Sequence, residues 1–301
     1  MKATVQEFQE STMSSRSMAI VLSDLFKARL TTLVVLTTLA GFYMGSQGSM
    51  NAWLLFHCIL GTALLASGAA ALNQLLEHPL DARMQRTESR PIPAGQLQPD
   101  SVLLLGAGIS ALGLIYLALK VNLLTSVLGA ATLISYLFIY TPLKRITPFN
   151  TIVGAVPGAL PPLMGWTAAR NSVSIEGWTL FAILFFWQLP HFLAIAWLFR
   201  EDYAKAGFRM LPVVDATGER TARSAISHTL GLLPVSLCPF LFKLTGHVYF
   251  FGALVLSLVF LYFAVRFARE LTVTNARKLF LYSIIYLPLL LGLMVFDKAG
   301  H

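Results

Sequence analysis

Three oxygen-bearing side chains, Asn73, Glu77 and Asp81, recur at four-residue intervals where the apolar run 52–72 gives way to charge. On a continuing helix that spacing puts them on one face, spread over about 12 Å at a rise of 1.5 Å per residue. Two carboxylates and an amide oxygen suit a hard divalent cation, and Mg²⁺ is commonly held by one or two carboxylates together with substrate phosphates. Arg83, Arg86 and Arg90 follow within nine residues of Asp81, and guanidinium groups match phosphate oxygens in a fork. The expected chemistry is therefore that of Mg²⁺ and a diphosphate, with Asn73, Glu77 and Asp81 as metal ligands. Pro79 removes a backbone donor and crowds the preceding turn, so a kink or an end is expected between Glu77 and Asp81. The plain alternative for 77–90 is a charged loop whose arginines set topology and whose acids balance them. It accounts for any one residue but not for the set, because Asn73 lies inside the apolar boundary, where an amide without partners is costly.

The elements that must position these groups are membrane helices. The chain of 301 residues is 56% apolar, with a mean hydropathy of +0.70, too apolar for a soluble domain of this length. Runs of about 20 apolar residues, the length that crosses a bilayer, fall at 30–48, 52–76, 101–119, 122–141, 149–169, 177–199, 224–245, 247–265 and 278–296. Nine spans are expected, after a polar tail over 1–26 and within one membrane domain over 27–301. The outer connections hold only Lys120, Arg170, Lys243 and Lys298, and all other lysines and arginines gather on the inner side. This asymmetry predicts a cytoplasmic N-terminus and an outer C-terminus. The long inner segments 77–100 and 200–223 carry acids with bases, so chemistry is expected on the cytoplasmic face. The net charge of +8 is spread over short segments between spans, which excludes a nucleic-acid-binding patch. Cys58 and Cys238 each sit in an apolar run and suggest neither a disulfide framework nor a thiolate metal site.

Two further stretches bear on the site. The fourth span ends in Tyr136-Leu-Phe-Ile-Tyr140-Thr-Pro142-Leu-Lys144-Arg145, where Pro142 should stop the helix and leave two cations at the interface, either for phosphate or snorkelling to headgroups. The fifth contains Gly154, Pro157, Gly158, Pro161, Pro162 and Gly165. It reads as a proline-interrupted span, tolerated at membrane depth only beside protein or a cavity.

Asn73-x-x-x-Glu77-x-x-x-Asp81, followed by Met84-x-Arg86-Thr87-x-x-Arg90-Pro91, resembles the first aspartate-rich motif of the UbiA-type intramembrane prenyltransferases. Tyr140-x-x-x-Lys144 is similar to the element that helps those enzymes hold diphosphate. Gln74, Glu77 and Pro79, with Trp187-Gln188-x-Pro190-His191 and Asp202-Tyr203-x-x-x-Gly207-x-x-Met210-Leu211-Pro212, resemble the branch that farnesylates heme. The family's second, intramembrane aspartates are replaced here by Gln188 and His191. The resemblance implies an all-α polytopic bundle of nine helices around a central cavity opening to the cytoplasm, in a bacterial-type inner membrane. It implies transfer of a farnesyl group from farnesyl diphosphate to the vinyl group of protoheme IX (heme B), with addition of water, giving heme O. Downstream partners would be heme A synthase or terminal oxidase assembly. Asn73, Glu77, Asp81 and Lys144 are then the catalytic set, with Mg²⁺ as cofactor. Arg86, Arg90, Tyr140, Arg145, Gln188, His191, Asp202 and Tyr203 are expected at the substrates. His191, in place of an acid, could ligate heme iron or bond a propionate, or serve only as a hydrogen-bonded structural residue. Prenylation of an aromatic quinone precursor and a membrane transporter remain the alternatives.

Overall fold

A computed structural model describes residues 17–299. Among them every regular element is a helix, apart from one isolated bridge between Thr245 and Lys298. Among the described residues nine helices are long and apolar enough to cross a membrane, each coinciding with one of the expected spans. A short α1 (Met18–Leu25) leads into α2 (Ala28–Gly45), α3 (Ala52–Asp81), α4 (Pro99–Lys120), α5 (Leu123–Leu143), α6 (Asn150–Arg170) and α7 (Ile175–Leu198). Two short helices, α8 (Arg200–Lys205) and α9 (Leu211–Val214), precede α10 (Glu219–Leu241), α11 (His247–Arg269) and α12 (Val273–Phe296). Polar residues start several of them: the side chains of Asn51, Asn122 and Thr272 accept from the backbone N–H of Leu54, Thr125 and Asn275, satisfying donors that have no partner inside the helix.

Lipid tails are as apolar as leucine, so helix association inside a membrane depends on close packing and interhelical hydrogen bonds. Both are visible. α6 packs against α2, α5 and α7, with 72% of its apolar window buried. At Gly165 a Cβ would lie 2.0 Å from Thr38 O of α2, so only glycine permits that crossing. In the last three spans a hydroxyl ladder joins α10 to α11 and α12: Ser236 Oγ to Ser257 Oγ at 2.8 Å, and Ser257 Oγ to the Tyr286 hydroxyl at 3.0 Å. α12 then packs on α7 and returns to α2.

Residues 1–16 of the expected tail lie outside the described residues; its end is helical, with Val21 and Leu25, one turn apart, buried against the bundle. Two expectations about the elements need correction. The fifth span is not interrupted, for α6 runs through Pro157, Pro161 and Pro162, held by neighbours along most of its length. Nor does the second span end before Asp81, as α3 continues through Pro79. Proline at 79 leaves the carbonyl of Leu75 without its helical donor, and His78 Nδ1 lies 2.6 Å from that oxygen. A carbonyl only accepts, so Nδ1 carries the proton and replaces the missing bond. The role of His78 is thereby structural.

Candidate active site

Because α3 is continuous, Asn73, Glu77 and Asp81 form one buried row, 1%, 5% and 1% exposed. Burying such groups is costly unless each is paired, and a basic residue from a different segment meets each of them. Lys27, at the corner between α1 and α2, donates to Asn73 Oδ1 at 2.7 Å. Lys144, just past the end of α5, donates to Glu77 Oε1 at 2.6 Å. Arg90, from the turn-rich segment after α3, pairs with Asp81 Oδ2. Asp81 Oδ1 stays buried with no hydrogen-bond partner. Burial, and then the neighbouring Arg90 charge, pull Lys27 down to about 7. Burial also pulls on Lys144, but the adjacent Glu77 carboxylate and Tyr140 outweigh it and hold this ammonium above its ordinary value.

Local structure aims each base. Lys27 has a left-handed backbone, φ 47°, an uncommon state for a residue with a side chain. The corner is pinned by Gln74 Nε2, which donates to the carbonyls of Asp24 and Leu25 at 2.8 and 2.9 Å. α5 widens into a π-helical stretch over Ser135–Tyr140, where Thr141 Oγ1 donates to Tyr136 O at 2.8 Å. That stretch sets Tyr136 and Tyr140 in a stack with ring centroids 5.9 Å apart, and Lys144 Nζ lies 4.6 Å from the Tyr140 ring. Single-turn π segments inside helices are frequent at functional sites. After α3, Thr87 Oγ1 donates to Asp81 O at 2.9 Å and buried Met84 anchors the segment, placing Arg90 below the row. Arg86 lies over the rings of Phe199 and Tyr203, 5.3 and 5.7 Å from their centroids.

These groups surround a cavity of about 300 Å³. Asn73, Glu77, Asp81, Arg86, Arg90, Tyr140, Lys144, Gln188 and Tyr203 all line it, so the structure assembles most of the expected site. Its other walls are mostly apolar, among them Val34, Ala66, Ala69, Pro157, Pro161 and Phe192, with Thr31 and Thr132 adding hydroxyls. At Gly158 a Cβ would lie 2.0 Å from Gln188 Oε1, which is why α6 has glycine opposite that amide. Arg145, Asp202 and His191 do not line the cavity. Arg145 is exposed past the end of α5, and Asp202 is half-buried on α8. His191 faces α12, with Nδ1 2.6 Å from Ser283 Oγ and its ring between Trp187 and Phe280. Ser283 Oγ itself donates to Phe280 O at 2.5 Å, so it accepts from a protonated Nδ1 and leaves Nε2 as the imidazole's lone-pair nitrogen.

Sequence reasoning missed three members of the site. Lys27 counted only as a topogenic base, although it is the last charge but one before an apolar run. Tyr136 stands one turn before Tyr140, a visible signal. Thr141, which accepts from Asn73 Nδ2 at 3.1 Å, had none.

A row of acids and bases closing one end of an apolar cavity within nine spanning helices defines an intramembrane enzyme for a lipid-like diphosphate. Residues 34–286 match the model of the UbiA prenyltransferase family, and the chain belongs to that family. Curated relatives sharpen the placement. A protoheme IX farnesyltransferase from Solibacter usitatus is 47% identical over 92% of this chain and 98% of its own. One from Koribacter versatilis is 44% identical over 92% and 93%. The mitochondrial protoheme IX farnesyltransferase of Arabidopsis thaliana is 38% identical over 92% of this chain and 65% of its own. Among solved structures, a digeranylgeranylglyceryl phosphate synthase superposes with a TM-score of 0.79 at 15% identity, covering 93% and 98% of the two chains. A UbiA homolog from Archaeoglobus fulgidus bound to GPP and Mg²⁺ gives 0.64 at 14%, covering 91% and 99%. Both share the fold.

Proposed function

We propose that this membrane enzyme transfers a farnesyl group from farnesyl diphosphate to the vinyl group of protoheme IX, with addition of water, releasing heme O and diphosphate. The observation that carries the reading is the joining of the acid and base row to an apolar cavity, in a chain 38–47% identical to protoheme IX farnesyltransferases along nearly its whole length. Breaking the allylic C–O bond places negative charge on the departing diphosphate, and preorganised cations aimed there lower the barrier. Lys27, Lys144, Arg86 and Arg90 supply that charge. The rings of Tyr136, Tyr140 and Phe192 face the cavity and can stabilise the allylic cation through their π faces. Attack by the vinyl group forms the new C–C bond, and water then adds to the resulting cation, its surplus proton passing to the released diphosphate or to solvent.

The residues present fit Mg²⁺. Asn73, Glu77 and Asp81 share one buried face, and the orphaned Asp81 Oδ1 offers a hard oxygen with no protein donor. These three would hold the ion. When bound, it supplies further neutralisation of the leaving diphosphate. The acceptor is assigned to the side of α7 that bears Gln188 and His191. His191 faces α12 rather than the cavity, and a neutral imidazole whose Nδ1–H is fixed and whose Nε2 carries the lone pair has the form of a metal-ligating histidine, suited to heme iron. Asp202 and Arg145 complete the substrate contacts of this reading, at the membrane surface beside Tyr203 and Lys144. In this reading the site lies on the cytoplasmic side of a bacterial-type inner membrane, with the C-terminus outside; the bases gathered at this end support the orientation. The product would serve heme A synthase or terminal oxidase assembly.

The test is conversion by the purified chain of heme B and farnesyl diphosphate to heme O, with diphosphate released stoichiometrically. Prenylation of 4-hydroxybenzoate with heme ignored would replace this reading with a quinone-precursor enzyme. Absence of diphosphate release from any prenyl donor would return it to the transporter class.

A further inference from the structure

Each of the three prospective metal ligands on α3 is already held by a base: Asn73 by Lys27, Glu77 by Lys144 and Asp81 by Arg90. The three bases come from three separate segments, and Arg86 lines the same cavity. Lys144, Arg90 and Arg86 alone outnumber the Glu77 and Asp81 carboxylates, which leaves the site with an excess of positive charge. A divalent cation arriving alone would meet an oxygen of each ligand engaged by a base, with Asp81 Oδ1 left open, and a field of its own sign. A diphosphate arriving alone would meet Lys144 and Arg90 tied to carboxylates and Lys27 tied to the Asn73 amide. When both arrive, the bases can turn to phosphate oxygens while the freed oxygens turn to the metal, and every buried charge keeps a partner.

We propose that Lys27, Lys144 and Arg90 are exchangeable counter-ions that leave the α3 ligands for the diphosphate when the metal binds. Lys27 is thereby a direct diphosphate ligand. The consequence is reciprocal coupling, in which metal and diphosphate each bind weakly alone and each strengthens the other. Lys27 suits this exchange for a geometric reason. Its ammonium reaches Asn73 Oδ1 from a corner that the neighbouring Gln74 pins through two backbone carbonyls. The base therefore has a fixed root and only its side chain has to swing. This inference rests on the reading of Asn73, Glu77 and Asp81 as metal ligands.

Binding of Mn²⁺ to the purified full chain, read from free Mn²⁺ by electron paramagnetic resonance without any diphosphate, separates the two ideas. Lys27→Met and Lys144→Met should each bind Mn²⁺ about tenfold tighter than the unaltered chain, since each removes a charge-assisted competitor. At fixed Mn²⁺ the same variants should bind inorganic diphosphate about tenfold more weakly. Arg90→Met provides a third arm if either lysine variant fails to fold. If these variants bind Mn²⁺ no tighter than the unaltered chain while Asp81→Asn and Glu77→Gln abolish its binding, the exchange is wrong and the metal site stands. If Asp81→Asn and Glu77→Gln leave Mn²⁺ binding unchanged, the metal reading falls, and the exchange falls with it.

Discussion

Asp81 has two oxygens in two different situations, one paired with Arg90 and one buried without a partner. Asp81→Asn preserves the shape and removes the charge, so turnover should drop by about 10²-fold or more, the scale on which loss of an electrostatic contact to a reacting group is felt. Heme O formation measures the loss, and an unchanged unfolding midpoint shows that the fold survives. A rate within a few-fold of the parent would remove Asp81 from the metal site. His191 is tested through its orienting partner as well. His191→Ala should abolish the absorbance change on heme titration while farnesyl diphosphate still binds. Ser283→Ala, which frees the ring to change tautomer, should weaken heme binding by several-fold without abolishing it. Normal heme affinity in both variants would make His191 a packing residue.

Helix continuity and close approach decide whether these residues meet. The four-residue spacing on α3 works only because His78 repairs the turn broken by Pro79. Lys144 reaches Glu77 across a π-helical stretch that no apolar periodicity announces. The contact of α6 with α7 is most sensitive at Gly158. Gly158→Ala would bring its methyl against the end of the Gln188 amide, which can turn aside, so the loss should be about 1 kcal/mol, the low end of overpacking costs. Gln188→Ala in the same chain should restore most of that loss, a non-additivity that chemical unfolding in detergent can measure. Additive effects would show that the two helices separate freely there.

The whole bundle is closed at the end opposite the site, where the last residues meet the first span. Lys298 Nζ donates to the carbonyls of Tyr43 and Ser46 at 2.6 and 2.7 Å, and Arg170 Nε donates to Gly45 O at 2.5 Å. Cations at a helix C-terminus satisfy its last carbonyls and complement its dipole. Lys298→Met should therefore lower unfolding stability by about 1 kcal/mol and leave the rate of heme O formation unchanged, because the contact is remote from the cavity. A matching loss of activity would show that this closure is coupled to the site. Orientation has its own check: in intact cells Asn171→Cys should react with an impermeant thiol reagent from outside, and Lys205→Cys should not. The reverse pattern would invert the topology.

Composition and periodicity alone specify nine spans, because only a helix can satisfy its own backbone in lipid. They also mark the face of α3, because a buried polar row at a fixed spacing has no reason to exist in an apolar run without a partner. The motif after α3 carries enough specificity to name the family, and the charge asymmetry suggests an orientation. What the sequence could not assign were the partners. That Lys27 belongs to Asn73 depends on a left-handed corner pinned by Gln74, 49 and 50 positions along the chain from the carbonyls it holds. That His191 turns from the cavity to Ser283 depends on α12 packing beside α7, 92 positions later. Side-chain pairing between distant helices is set by packing, whose determinants are shape and close approach. A one-dimensional pattern records which face of each helix is polar, and tertiary structure decides what that face meets.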